Sequence, residues 1–429
     1  MQRVFKSGPL PWAASLFLVV AAGSARAEGP GVRAGVLEFH PSTWLEGGFD
    51  NNVFYDSTRD GSGSDLETAT VLRLGGGLNV ENRNPSQIGL SLGGRFTYRY
   101  LTSFDDPDGG LAADSRSVEA RNGLASAAAQ AVVALFPQSA VTLELHENFR
   151  YSENPTFETA VVGFERVENA IGPDLRFRPG GRALELRLGY RYRLVDFLEE
   201  KDSGAARYEK EAHETRLLTQ WRWLPKTSLL LDLQYHVVDF SRGDAASNRN
   251  ARPFRAEGGV RGLLTQRISV VALAGYLNTF NEVGQSFVGP VARLEVNYVT
   301  EPTLSVGVGY THDAESSGYS NYHIVDGVFL RSELHFLGRF TLAGKLAYDY
   351  IRFVQDGAPV AGGQAPGERA DPVLRVQASF TYSPREWLSA GVEWLLERNA
   401  TEHFVPYEGG VDYSDYARQL VLVRLAAEY

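Results

Sequence analysis

The sequence predicts an all-β protein: a transmembrane, antiparallel up-and-down β-barrel of about 18 strands, with short periplasmic turns and long extracellular loops. Three observations predict it. The chain opens with an export signal, apolar and polar residues then alternate with period two along its length, and short connections alternate with long ones.

The export signal comes first in the chain. Arg3 and Lys6 give a positive start, Trp12 to Ala22 is an apolar run, and Ala25-Arg26-Ala27 fits a small-x-small cleavage site. Residues 1–27 therefore read as a signal peptide cleaved before Glu28; an uncleaved anchor would need a longer run with other flanks. Cleavage removes three basic residues and no acid, moving the formal charge from −10 to −13. A chain this acidic lacks the basic surface that nucleic acid requires. Cysteine is absent, which excludes disulfides, thiolate metal sites, cysteine nucleophiles and a lipidated N-terminal cysteine. No later run is long and apolar enough for a membrane helix. A soluble secreted β-protein and a membrane barrel are the two classes that remain.

Residues 28–35 read as a short periplasmic segment and 36–429 as one barrel domain without linkers. In Ile88 to Tyr100 the even positions are apolar or aromatic apart from Gly94, while Ser91, Arg95, Thr97 and Arg99 are polar; Leu184 to Leu194 repeats the scheme. Period two over about ten residues is the signature of a tilted transmembrane strand. Tight turns are expected at Asn84-Pro85-Ser86, Pro137-Gln138, Pro179-Gly180-Gly181, Pro225-Lys226, Gln266-Arg267, Glu301-Pro302, Gly338-Arg339 and Ser383-Pro384-Arg385. Those hairpins supply sixteen strands, and one beginning near Val36 and one ending at Tyr429 make eighteen. The last strand, with Val421, Val423, Leu425 and Ala427 alternating and Tyr429 at its end, resembles the signal recognised by barrel-assembly machinery. Aromatics near strand ends, among them Tyr98, Tyr100, Trp221, Trp223, Tyr298, Phe336, Phe380 and Tyr382, would form interfacial girdles in a barrel, or core in a sandwich.

With apolar stripes facing lipid, the alternate residues line the lumen. The candidate lining is Arg73, Arg95, Arg99, Glu185, Arg187, Arg191, Arg255, Glu257, Arg293, Glu295, Arg331, Glu333 and Arg375. Glu185/Arg187, Arg255/Glu257, Arg293/Glu295 and Arg331/Glu333 are two apart and so share a face. Such pairs are either ladders bracing the wall or groups that meet a hydrated solute. Gly75, Gly77, Gly93, Gly189, Gly307 and Gly309 on inward positions predict open space, and no loop stands out as an inward plug. His146, Asn148 and Ser152 share a face but fit no nucleophile motif, and Asp105 to Gly109 is an acidic turn without a full calcium ligand series. No reaction, no metal and no cofactor is expected.

The segment Phe49-Asp50-Asn51-Asn52-Val53-Phe54-Tyr55 resembles the aromatic-Asp-x-Asn-x-aromatic motif near the start of the beta-barrel porin 2 family. Within that family the chain resembles stand-alone barrels of capsule, exopolysaccharide or spore-coat pathways. The resemblance implies a conduit in the outer membrane of a Gram-negative-type cell that carries polysaccharide to the surface with a periplasmic polysaccharide-export (OPX-type) partner, surrounded by lipid and lipopolysaccharide. The competing expectation is a general or substrate-selective porin for small hydrophilic solutes; a filled structural barrel comes next and an outer-membrane enzyme last. Asp50, Asn51 and Asn52 are the family-like positions, read first as a turn held by side-chain-to-backbone bonds.

Overall fold

The computed structural model describes residues 31–57, 67–82, 85–103, 121–153, 165–180, 183–198, 208–240, 249–300, 303–317, 320–354, 369–407 and 410–429. The expected signal peptide (1–27) and the acidic turn Asp105 to Gly109 lie outside them.

The strands are β1 (Val32–Ala34), β2 (Leu37–Asp50), β3 (Ala69–Asn82), β4 (Ile88–Ser103), β5 (Gly123–Leu135), β6 (Val141–Ser152) and β7 (Arg166–Phe177). There follow β8 (Leu184–Phe197), β9 (Lys210–Leu224), β10 (Thr227–Phe240), β11 (Phe254–Leu263), β12 (Ile268–Asn278), β13 (Val288–Thr300) and β14 (Leu304–Ser316). The last are β15 (Tyr322–Phe336), β16 (Phe340–Val354), β17 (Arg369–Arg385), β18 (Leu388–Asn399), β19 (Phe404–Tyr407), β20 (Gly410–Tyr413) and β21 (Tyr416–Glu428). Each long strand from β2 to β18 pairs antiparallel with its chain neighbour, and β21 pairs with both β18 and β2. That last contact closes an eighteen-stranded barrel. The three-residue β1 pairs with the periplasmic start of β2, and β19–β20 is a small separate hairpin.

The expected turns at Pro137-Gln138, Pro225-Lys226, Gln266-Arg267 and Gly338-Arg339 fall between paired strands, Asn84, Gly181 and Glu301-Pro302 lie outside the described residues, and one turn differs. Ser383, Pro384 and Arg385 belong to β17, whose register shifts between Tyr382 and Arg385, and the chain reverses at Glu386 and Trp387. Proline cannot donate to a ladder but is accommodated at such an irregularity. At the β15–β16 turn, Leu337 (φ 53°) and Gly338 (φ 67°) both take the left-handed conformation that lets a short hairpin follow the sheet twist.

The alternation separates two surfaces. Leu72, Leu74 and Leu78 on β3, and Val421, Val423 and Leu425 on β21, are exposed outward, whereas Glu46, Asp50, Arg99, Asp174 and Arg191 are buried inward. This inverts a soluble sandwich, and among the described residues no second sheet covers the apolar face. A closed barrel with an apolar outside satisfies every ladder bond inside lipid, and its place is the outer membrane. Phe336, Phe340, Phe380 and Tyr382 stack at the periplasmic rim with centroids 5.0–5.8 Å apart.

Inward glycines do not open the lumen in the way their missing side chains suggest. A Cβ at Gly75 would stand 2.1 Å from the Trp44 indole, and one at Gly309 would stand 2.2 Å from the Phe329 ring. The vacancy on one strand is filled by a bulky neighbour lying flat along the wall. At Gly172 and Gly259 the obstacle is a backbone carbonyl of the adjacent strand, 2.0 Å from the added Cβ, so these glycines let strands bend closely past each other.

Candidate functional site: the barrel lumen

The register places Arg73, Arg95, Arg99, Glu185, Arg187, Arg191, Arg255, Glu257, Arg293, Glu295, Arg331, Glu333 and Arg375 on the inward face. Their partners are mostly on neighbouring strands. Arg191 forms a two-pronged pair with Asp174, each arm 3.0 Å, and both are buried. Arg255 donates to Asp313 at 2.9 Å, Arg375 to Asp349 at 2.7 Å and to Glu397 at 3.2 Å, and Arg99 pairs with Glu153. Arg73 lies 3.7 Å from Glu46. Of the same-strand pairs, Arg187–Glu185 (3.5 Å), Arg255–Glu257 (3.7 Å) and Arg293–Glu295 (3.2 Å) are in contact. Arg331 and Glu333 are not joined. Arg331 crosses β14 to Glu295, and Glu333 meets His335 at 2.9 Å. The sequence does not mark Asp174, Glu214 and Asp313, because the first two meet their partners only through cross-strand register and Asp313 meets Arg255 only across the two intervening strands β12 and β13.

Asp50, Asn51 and Asn52 sit at the closing seam. Asp50 accepts from Arg418 of β21 at 3.0 Å, and the Asn51 side chain accepts from the Gln419 backbone N–H at 2.6 Å. Fully buried Asn52 donates to the carbonyls of Asp56 (2.9 Å) and Ala417 (3.2 Å) and accepts from the Asp56 N–H at 2.8 Å. The motif thus joins the first long strand to the last and turns the following segment inward. Val53 and Phe54 there pack on Val71, Leu101, Leu420 and Leu422. Tyr55 takes φ 61°, a strained conformation for an aromatic residue, and stacks edge-on against Tyr416 at 5.0 Å. Arg121 donates to the Val53 carbonyl at 3.0 Å; burial lowers its pKa to about 10, so it stays charged at neutral pH.

A second inward contact lies at the two ends of the β8–β9 connection, whose residues 199–207 lie outside the described residues. Phe197, at the end of β8, and Tyr208, just before β9, form one apolar cluster with Val325, Ile351, Phe353 and Val373 of β15–β17. Those strands are at least six positions apart around the barrel, so the contact runs across the lumen near its external mouth. The signal was in the aromatics at the two loop ends, but alternation alone does not say which wall they reach.

His146, Asn148 and Ser152 all face inward on β6. His146 Nε2 lies 3.3 Å from Glu144 and 3.2 Å from Asp174. The three ligand atoms lie within 4.8 Å of one another, yet Arg176 and Arg191 already engage the two carboxylates and oppose a bound cation. The arrangement is an ion cluster bracing β6–β8, with no hydroxyl nucleophile beside the imidazole.

These features define an outer-membrane β-barrel with a polar lumen. No family model matches the chain, and no curated protein matches it. Solved structures with a similar fold include OccAB4 of Acinetobacter baumannii (TM-score 0.49, 11% identity, covering 94% of this chain and 100% of that one). Others are OpdQ of Pseudomonas aeruginosa (0.46, 12%, 91% and 98%) and OpdK of Pseudomonas aeruginosa with vanillate (0.47, 12%, 91% and 99%).

Proposed function

We propose that the barrel is a substrate-selective channel for small hydrophilic solutes. The observation that carries this reading is the apolar contact of Phe197 and Tyr208 with β15–β17, which narrows the external mouth of a barrel otherwise wide enough for an aqueous channel. The lumen wall below it is dense with side chains fixed by ion pairs, which suits a small polar molecule better than a sliding polymer. Polysaccharide export with a periplasmic partner rests on the Phe49–Tyr55 segment, and the contacts of that segment are those of a seam staple.

A clean deletion distinguishes the two. We expect slower uptake of small polar solutes with surface polysaccharide, scored by dye binding, unchanged. Loss of surface polymer with polymer trapped in the periplasm would overturn the channel reading and restore export.

A further inference from the structure

On the inner wall of β11–β16, Arg261 (β11), Arg293 (β13) and Arg331 (β15) lie around one carboxylate, Glu295, while Lys345 (β16) stands beside Arg331 with Asp349, which Arg375 already holds, as its acid neighbour. Arg261 and Lys345 make no ion pair among the described residues. Arg261 lies close enough to Arg293, and Lys345 to Arg331, for mutual repulsion. Arg331 and Lys345 are directly cross-strand, a like-charge placement that destabilises a sheet.

The two central arginines are also held in place. Arg293 donates to Glu295 at 3.2 Å; Arg331 donates to the other oxygen of Glu295 at 2.5 Å and to Asn297 at 2.8 Å. Asn297 in turn donates to Glu295 at 3.0 Å. Arg331 can reach across β14 because residue 307 is glycine: a Cβ there would meet Asn297 Oδ1 at 2.6 Å and Arg331 Nε at 2.7 Å. The Arg331 guanidinium stands 5.6 Å from the centre of the Phe329 ring, which itself fills the space over Gly309. The side chains of Arg293 and Arg331 are nonetheless 40% and 53% exposed, to lumen water. Each guanidinium has five N–H donors, and the contacts above leave several directed at that water. Two anchored forks flanked by two further cations fit an oxyanion.

We propose that the inward face of β11–β16 carries an oxyanion site, built on Arg293 and Arg331 with Arg261 and Lys345 at its edges, that takes the carboxylate or phosphate group of a small solute in transit. The assignment rests on the channel reading and names its substrate class. Glu295 is a positioning residue that aligns both forks and offsets one of the four charges. The remaining positive potential raises the local concentration of anions in the channel.

The test uses the whole barrel in planar bilayers and in detergent micelles, with citrate and inorganic phosphate as separate probes. We expect saturable reduction of chloride conductance by one or both, which tells a carboxylate site from a phosphate site. Calorimetry in micelles should give matching binding. In Arg293→Gln with Arg331→Gln, affinity should weaken by about tenfold or more, and the reversal potential in a KCl gradient should shift toward cations. Gly307→Ser, which displaces Arg331 without changing charge, should weaken binding while leaving the reversal potential nearly unchanged. Arg339→Gln, in the exposed β15–β16 turn outside the lumen lining, should alter neither. Conductance that ignores both probes, or binding equal in wild type and the double variant, would overturn the site. Binding in micelles without any conductance would keep the site and overturn the channel reading.

Discussion

On β7–β10 three lumen arginines each hold an acid on the adjacent strand: Arg191 to Asp174, Arg193 to Glu214, Arg216 to Asp232. On β11–β16 Arg255 is likewise paired, with Asp313, but further along the wall Arg293 and Arg331 share a single carboxylate, while Arg261 and Lys345 pair with none among the described residues. Burial follows the same division. Arg191 and Asp174 are 3% and 1% exposed, against half-exposed side chains at Arg293 and Arg331. A buried charge must be paired to persist, so the matched stretch reads as wall structure. A hydrated charge carries no such requirement, so the unmatched stretch is free to meet solute.

The comparison breaks most visibly at Asp174. Asp174→Ala leaves Arg191 and His146 facing each other without their shared carboxylate, and should destabilise the barrel by about 3–5 kcal/mol in denaturant unfolding from lipid vesicles. Arg293→Gln should change the same midpoint by less than about 1 kcal/mol, because its pair is water-exposed. Equal losses at the two positions would erase the distinction between wall and site. Next in size, Asn52→Ala removes three hydrogen bonds at the seam and should cost about 1–3 kcal/mol, read as faster loss of heat-modifiable mobility on gels. Phe197→Ala with Tyr208→Ala should leave assembly intact and raise single-channel conductance, since their contacts span the mouth rather than the sheet.

The smallest effect concerns pH. Burial, reinforced by Arg369, lowers the pKa of His403, in the connection after β18, from an ordinary 6.5 to about 4. The imidazole is therefore neutral when docked. The docked state keeps its full stability above pH 6.5 and loses it progressively as pH falls toward 4, because the undocked form takes up the proton first. An NMR titration of His403 should show its midpoint near 4. A midpoint near 6.5 would mean that the connection is not docked.

Much of this architecture was legible in period two. Ile88 to Tyr100 and Leu184 to Leu194 announce strands because adjacent side chains must face opposite solvents, and turn residues then fix the count. The face of each lumen residue follows from the same parity. Partnership does not: Arg331 sits two residues from Glu333 yet bonds Glu295, because register and a glycine at 307 decide its reach. The inward glycines misled for the same reason, since Trp44 and Phe329 reach over Gly75 and Gly309 from adjoining strands. The crossing of Phe197 and Tyr208 to β15–β17 is tertiary, and no local pattern encodes it.

Swelling of proteoliposomes in sugars of increasing length measures the proposed narrowing directly. Monosaccharides should enter fast, with a steep fall for longer oligosaccharides that eases in the Phe197→Ala, Tyr208→Ala variant. Entry rates that barely depend on chain length in the wild type would contradict it.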